Sequence, residues 1–206
     1  PLVARPRKIG NKWFMTKEAR KRNDTRLLAR YIKQTANTIR RRVENLGLTE
    51  LAAVITSETR FITAAATWAT QAAIINDNRT GLTEPLYNIA LAVEQIDLEE
   101  RGIELDSAIM HPTQMRYARA YYGSSRNVMD AFAEYGISNV YTTPRQTAGR
   151  ALLFEAGQVG EWRNEFPLEE EVWQDKDGRQ QTWYQWSISP LFAVDNPYAM
   201  LEVRGL

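Results

Sequence analysis

His111 is the single histidine of this 206-residue sequence, and there is no cysteine. Multi-histidine metal sites, thiolate nucleophiles and Cys-type zinc sites are therefore excluded. Any general-base step would rest on one imidazole beside Pro112. The simpler reading of His111 is a corner histidine at a strand end, satisfied by the backbone. Glu169, Glu170 and Glu171 are three adjacent carboxylates, the chemistry of a hard-cation site or an acid/base pair. Successive side chains on a strand point to opposite faces, so three in a row do not converge. They read instead as an acidic edge, solvated or turned toward a second subunit. No glycine loop of the phosphate-cradling type is present, and no cofactor is expected.

The strongest chemical signal is cationic. Residues 1 to 60 hold 15 Lys/Arg against 5 Asp/Glu, and the remainder holds 11 against 20. A chain with a formal charge of only +1 thus divides into a basic part and an acidic part, and such fields steer association. Arg22, Arg26, Lys33 and Arg40 form one longitudinal row if the segment is helical, while Arg30 and Arg41 flank its apolar stripe more closely. Two readings of the row stand. It can neutralise phosphates of a nucleic acid, with binding that weakens steeply in salt. Alternatively, it solvates an exposed helix or meets an acidic protein surface. Nothing resembles a recognition helix or zipper that would read base sequence.

These residues need elements to position them. Residues 1 to 15 mix Pro, Gly, basic and bulky side chains without helical period, and predict an extended arm ending in a strand. Thr16 supplies a helix-capping hydroxyl. From Lys17 to Leu46 there is no Gly or Pro, and Leu28, Ile32, Thr35, Ile39, Val43 and Leu46 recur at helical spacing. This predicts a helix of roughly 45 Å, with Gly47 as its stop signal and a further helical turn over Leu48 to Ile55. Phe61 to Trp68 reads as extended, residues 76–85 as a polar loop, and Glu84 to Glu100 as a second helix. The alternation that follows is strand Ser107 to Met110, helices Thr113 to Tyr122 and Asn127 to Tyr135, and strand Ile137 to Thr142. It predicts a small mixed α/β unit. From Arg150 onward the pattern is strands, with hairpin chemistry at 175–178. The class is α+β. No apolar run approaches the length that crosses a bilayer. The sequence opens on Pro1 with no methionine, so an upstream segment is expected to have been removed.

The order of these pieces carries a resemblance. A basic extended segment closes on WFMTKEARKRND, and the long helix holds ANTIRRRVE. An ATWAT stretch, PLYNIALAVEQI, SAIMHPTQM, GISNVYTTP, RALLFEAGQVG and a last sheet ending in PLFAVDNPYAM complete it. Together they resemble the major capsid proteins of tailed bacteriophages, whose Hong Kong phage-type fold is shared with encapsulins. The resemblance implies that 1–15 is the returning strand of an extended loop overlapping a neighbouring subunit, with Arg7, Lys8 and Lys12 as its contacts. It implies that 16–75 and 164–206 form a peripheral domain of spine helix and long sheet, and that 76–163 forms the axial domain.

The function implied is structural, not enzymatic: a subunit that self-assembles through pentamers and hexamers into an icosahedral phage or prophage shell. Its implied partners are copies of itself, packaged double-stranded DNA held without sequence specificity, and scaffold, portal or decoration proteins. Assembly would take place in the bacterial host cytoplasm, and the mature location would be the virion capsid. An encapsulin-type compartment holding a cargo enzyme is the neighbouring alternative, and a DNA-binding module using the basic helix alone is a third. On the capsid reading, Arg22, Arg26, Arg30, Lys33, Arg40 and Arg41 face either DNA or an acidic neighbour such as Glu169 to Glu171.

Overall fold

The computed structural model describes residues 6–22, 25–64, 67–68, 86–123, 125–175 and 181–206. The expected loop at 76–85 and most of the DKDG turn at 175–178 lie outside them. Two compact units divide the chain, Pro1–Glu50 with Trp162–Ala193 and Leu51–Glu161 with Val194–Leu206.

In the first unit, β1 (Ile9–Thr16) runs antiparallel to β7 (Gln181–Val194), and β6 (Gly160–Gln174) flanks β7 on its other side. The three-stranded sheet therefore has β1 and β6 as its two edges. Thr16 ends β1 and caps α1 (Lys17–Lys21), its hydroxyl accepting from the Ala19 amide at 3.4 Å. α2 follows over Thr25–Ser57. The helix expected as one rod from Lys17 to Leu46 is thus two, and Arg22 sits at the C-terminal cap of the short one rather than on the long row.

Gly47 was expected to stop the helix, yet α2 continues ten residues past it. The reason is packing. A Cβ at Gly47 would lie 2.8 Å from Cζ2 of Trp162, so glycine here admits an indole against the helix backbone instead of supplying a left-handed cap. The helix ends only after Ser57, where Thr59 takes a positive φ of 55° and the Arg60 amide closes on the Ile55 carbonyl.

In the second unit, β2 (Phe61–Thr63), β3 (Ser107–Met110), β4 (Asn139–Thr142), β5 (Arg150–Phe154) and β8 (Met200–Arg204) form a mixed sheet in the order β2-β8-β5-β3-β4. Helices α3 (Tyr87–Leu98), α4 (Pro112–Tyr122) and α5 (Ser125–Ala133) complete it. Alternation along the strands sends Ala151, Leu153, Leu201 and Val203 into one core with Ile89, Met115 and Phe132. It sends Leu152 and Met200 into a second core with Val54, Ile55 and Val159. By contacts, Leu51 onward and Val194–Leu206 group with the mixed sheet. The physical cause is local: the Asn196 side chain accepts from the Tyr198 amide at 3.1 Å and starts a 3-10 turn over Pro197–Ala199, so the run from Leu191 to Val203 is two strands in two sheets.

Buried charges in this unit are paired. Arg60, 6% exposed, forms an ion pair with Glu99 and donates to the Met200 and Tyr198 carbonyls at 3.3 and 3.0 Å. Glu202, 2% exposed, is held by Arg150 and Arg204. The guanidinium of Arg101 stacks 3.7 Å from the Tyr198 ring. These sets satisfy buried charges structurally.

Candidate assembly surface and nucleic-acid interface

His111 is the N-terminal cap of α4, its Nδ1 accepting from the Thr113 amide at 3.1 Å, with Pro112 in the first helical turn. The corner reading holds, and the acceptor role places the neutral ring's proton on Nε2. Among the described residues no group of acidic or histidine side chains could hold a metal ion, and no helix is long and apolar enough to cross a membrane.

The long sheet has two dissimilar faces. β7 residue Tyr184 and β1 residue Trp13 are opposite each other, and Trp13 is stacked between Tyr184 (4.3 Å) and Tyr31 of α2 (4.9 Å). Asn11 donates to Thr35 at 3.1 Å, and Arg42 donates to the Gly10 carbonyl at 2.8 Å. That face is the one α2 covers. On the opposite face, Lys12 lies 5.2 Å from the Trp183 ring, Trp173 stacks on Trp183, and Ser189 and Gln185 donate to Glu165 and Glu171. Strand alternation adds Glu169 on β6 to the same face, and Lys8 immediately precedes β1. Lys12 therefore marks one edge of this face and glutamates line the other, with β7 between. Glu170 turns to the helix-side face, so the glutamate triplet splits as strand geometry requires.

β6 is exposed along its whole length from Glu161 to Gln174. On its helix side only Trp162 is packed, against Gly47 and against Phe192 at 5.0 Å. Phe166, Leu168 and Val172 follow on that same side, 54%, 59% and 54% exposed. A long edge strand with an apolar stripe and unpaired backbone groups is a template for another chain. The sequence reading found the glutamates and missed this stripe. Its signal was the alternation of Phe166, Leu168, Glu170 and Val172, which would ordinarily mark a buried strand face.

The basic residues of α2 lie on the side away from the sheet. At 100° per residue, Tyr31, Thr35 and Arg42 fall within about 40° of each other and mark the sheet side. Arg26, Lys33 and Arg40 lie within about 20° of the opposite direction, with Arg30 and Arg41 about 60° and 80° to one side of it, and all five are exposed. Arg40 pairs with Glu44 at 3.1 Å. Arg7, Lys8 and Lys12 are likewise exposed, and the Arg7 amide ties the segment to Pro190 at 3.4 Å.

A long helix backing a sheet, joined to a mixed α/β unit, is the plan expected of a shell-building protein. A family model for phage capsid proteins matches residues 1–203, and the chain belongs to that family. Its role is structural and its place is the capsid. No curated protein matches it. Among solved structures it is similar to the capsid of Myoviridae phage XM1, at 16% identity over 98% of this chain and 74% of that one, with a TM-score of 0.67. A virus-like particle from Pyrococcus furiosus gives 11% identity over 97% and 77%, TM-score 0.69. A phage-related protein from Bordetella bronchiseptica gives 12% over 98% and 75%, TM-score 0.69. The fold is the Hong Kong phage-type capsid fold, α+β as the sequence predicts.

Proposed function

We propose that this capsid protein is the major shell subunit of a phage or prophage, assembling through pentamers and hexamers into an icosahedral shell that encloses double-stranded DNA. The observation that carries this reading is the edge of β6. Left open, an apolar and acidic strand of fifteen residues would aggregate, so a native subunit is expected to cover it. Two copies meeting by β6 alone would bring Glu165, Glu169 and Glu171 against their own kind, which disfavours an isologous contact. A basic surface of the next copy fits, and Arg7, Lys8 and Lys12 supply one at the other side of the subunit. Such a contact is heterologous, and a heterologous contact closes into a ring when its rotation divides a full turn, as capsomers require. The Leu51–Glu161 unit takes the axial role and the unit built on α2 and β6 the peripheral one. Assembly occurs in the host cytoplasm, with scaffold, portal or decoration proteins as further partners, and the subunit performs no catalysis.

An encapsulin-type compartment uses the same fold, and the likeness to the Pyrococcus virus-like particle keeps that reading in view. Sedimentation of the purified chain separates the outcomes. Closed particles carrying nuclease-protected DNA from the producing cell support the phage reading, and closed particles free of nucleic acid but carrying an enzyme support the compartment. A stable monomer at high concentration refutes both.

A further inference from the structure

We propose that the exposed stripe of α2, Arg26, Arg30, Lys33, Arg40 and Arg41, is a phosphate-backbone contact, so that the helix side of this unit is the side turned toward the packaged duplex. The proposal rests on the shell reading and decides which of two polyanionic surfaces the stripe meets. Three observations favour the nucleic acid over an acidic neighbour.

The first is the stripe's partners. Among the described residues Arg40 is its one member with a carboxylate, Glu44; the other four are exposed side chains with no hydrogen bond or ion pair. The second is direction. The stripe points away from the sheet, nearly opposite the residues that seat α2 on β1, which include Tyr31, Thr35 and Arg42. Of the β6 glutamates, Glu165, Glu169 and Glu171 lie at a sheet edge and on the face away from α2, and only Glu170 is on the helix side. A copy docking laterally, edge toward edge, does not bring that surface over the back of the helix. The third is spacing. From Arg26 to Arg41 the helix rises about 22 Å, roughly two-thirds of one turn of B-form duplex, with three cations in the first two turns and the pair Arg40 and Arg41 two turns further on. Such a row follows a phosphate strand and has no side-chain set for reading base edges. Binding without sequence preference is what a protein covering an arbitrary genome needs.

The test uses the full chain and a fluorescent duplex of about 30 base pairs and arbitrary sequence. With about four phosphates neutralised, affinity should fall about a hundredfold between about 50 and 200 mM salt. The variant Arg26→Gln/Arg30→Gln/Lys33→Gln, all at exposed positions, should bind at least tenfold more weakly at the lower salt and lose most of the salt dependence. It should still form particles at the wild-type yield, with less protected DNA inside. A flat wild-type titration overturns the proposal. So does a variant that binds duplex normally but fails to form particles, because the stripe would then be a subunit contact. If the wild type itself forms no particles, the shell reading fails, while the duplex titration still decides the stripe.

Discussion

Gly47→Ala is a sharp probe, because helix propensity and packing oppose each other there. In an exposed helix interior, glycine to alanine stabilises by about 1 kcal/mol. At Gly47 the new Cβ meets Trp162 Cζ2 at 2.8 Å and Cη2 at 3.1 Å, distances at which the ring must move. Trp162 is 45% exposed, so the indole can swing outward without forcing the backbone apart, but it then gives up its contact with α2. Returning roughly 50 Å² of apolar surface to water costs about 1.3 kcal/mol at 25 cal/mol per Å². The propensity gain and the packing loss therefore nearly cancel, and Gly47→Ala should be neutral to about 1 kcal/mol destabilising in the native background. In a Trp162→Ala background nothing stands in the way, and the same substitution should stabilise by about 1 kcal/mol. The coupling between the two positions is thus about 1 to 2 kcal/mol. Denaturant unfolding of the four variants, with particle formation suppressed by low concentration, measures it. Equal stabilisation by alanine in both backgrounds would show that Trp162 does not occupy the helix surface. Because Trp162 is the packed anchor of β6, the single Gly47→Ala variant should also lower particle yield.

Three further outcomes are expected. Trp13→Ala removes a buried indole held between Tyr31 and Tyr184 and should cost about 4 kcal/mol. Trp13→Phe keeps a stacking ring and discards an N–H that has no partner among the described residues, so its cost in thermal unfolding should be well under half of that. Arg60→Met leaves Glu99 without its buried partner and should destabilise by about 3 kcal/mol or more; pairing it with Glu99→Gln should recover part of the loss, read by denaturant midpoint. Glu169→Lys/Glu171→Lys should leave the monomer folded by circular dichroism and abolish particles, and Lys8→Glu/Lys12→Glu in the same chain should restore them; a double-charge variant that assembles normally removes these residues from the interface.

Local signals were legible in the sequence. The Thr16 cap, the Ser107–Met110 strand and the His111-Pro112 corner depend on neighbours within a few residues, and all three are found where the residue types place them. Features set by distant residues were not. Gly47 reads as a helix stop until Trp162, more than a hundred positions away, is seen to need its missing side chain. The pairing of β1 with β7 joins residues about 170 apart and makes β6 an edge; without that order Phe166 and Leu168 look like core. The acidic and basic residues were visible as composition, but their division between the two edges of one sheet face and the back of α2 is a product of topology. The cap at Arg22 and the turn at Pro197–Ala199 fall between these cases: Arg22 also fits a continuous helix, and the strand break is set locally by Asn196, whose side chain accepts from the Tyr198 amide, and by Pro197.

We propose that copies of this chain close into a shell by covering the β6 edge, and cryo-electron microscopy of particles formed by the purified full chain tests this. Closed icosahedral shells are expected in which Glu169 and Glu171 of each subunit meet the Arg7, Lys8 and Lys12 region of the next, with Phe166 and Leu168 out of solvent. Shells in which the β6 edge stays open to solvent, or a chain that remains monomeric under assembly conditions, would contradict it.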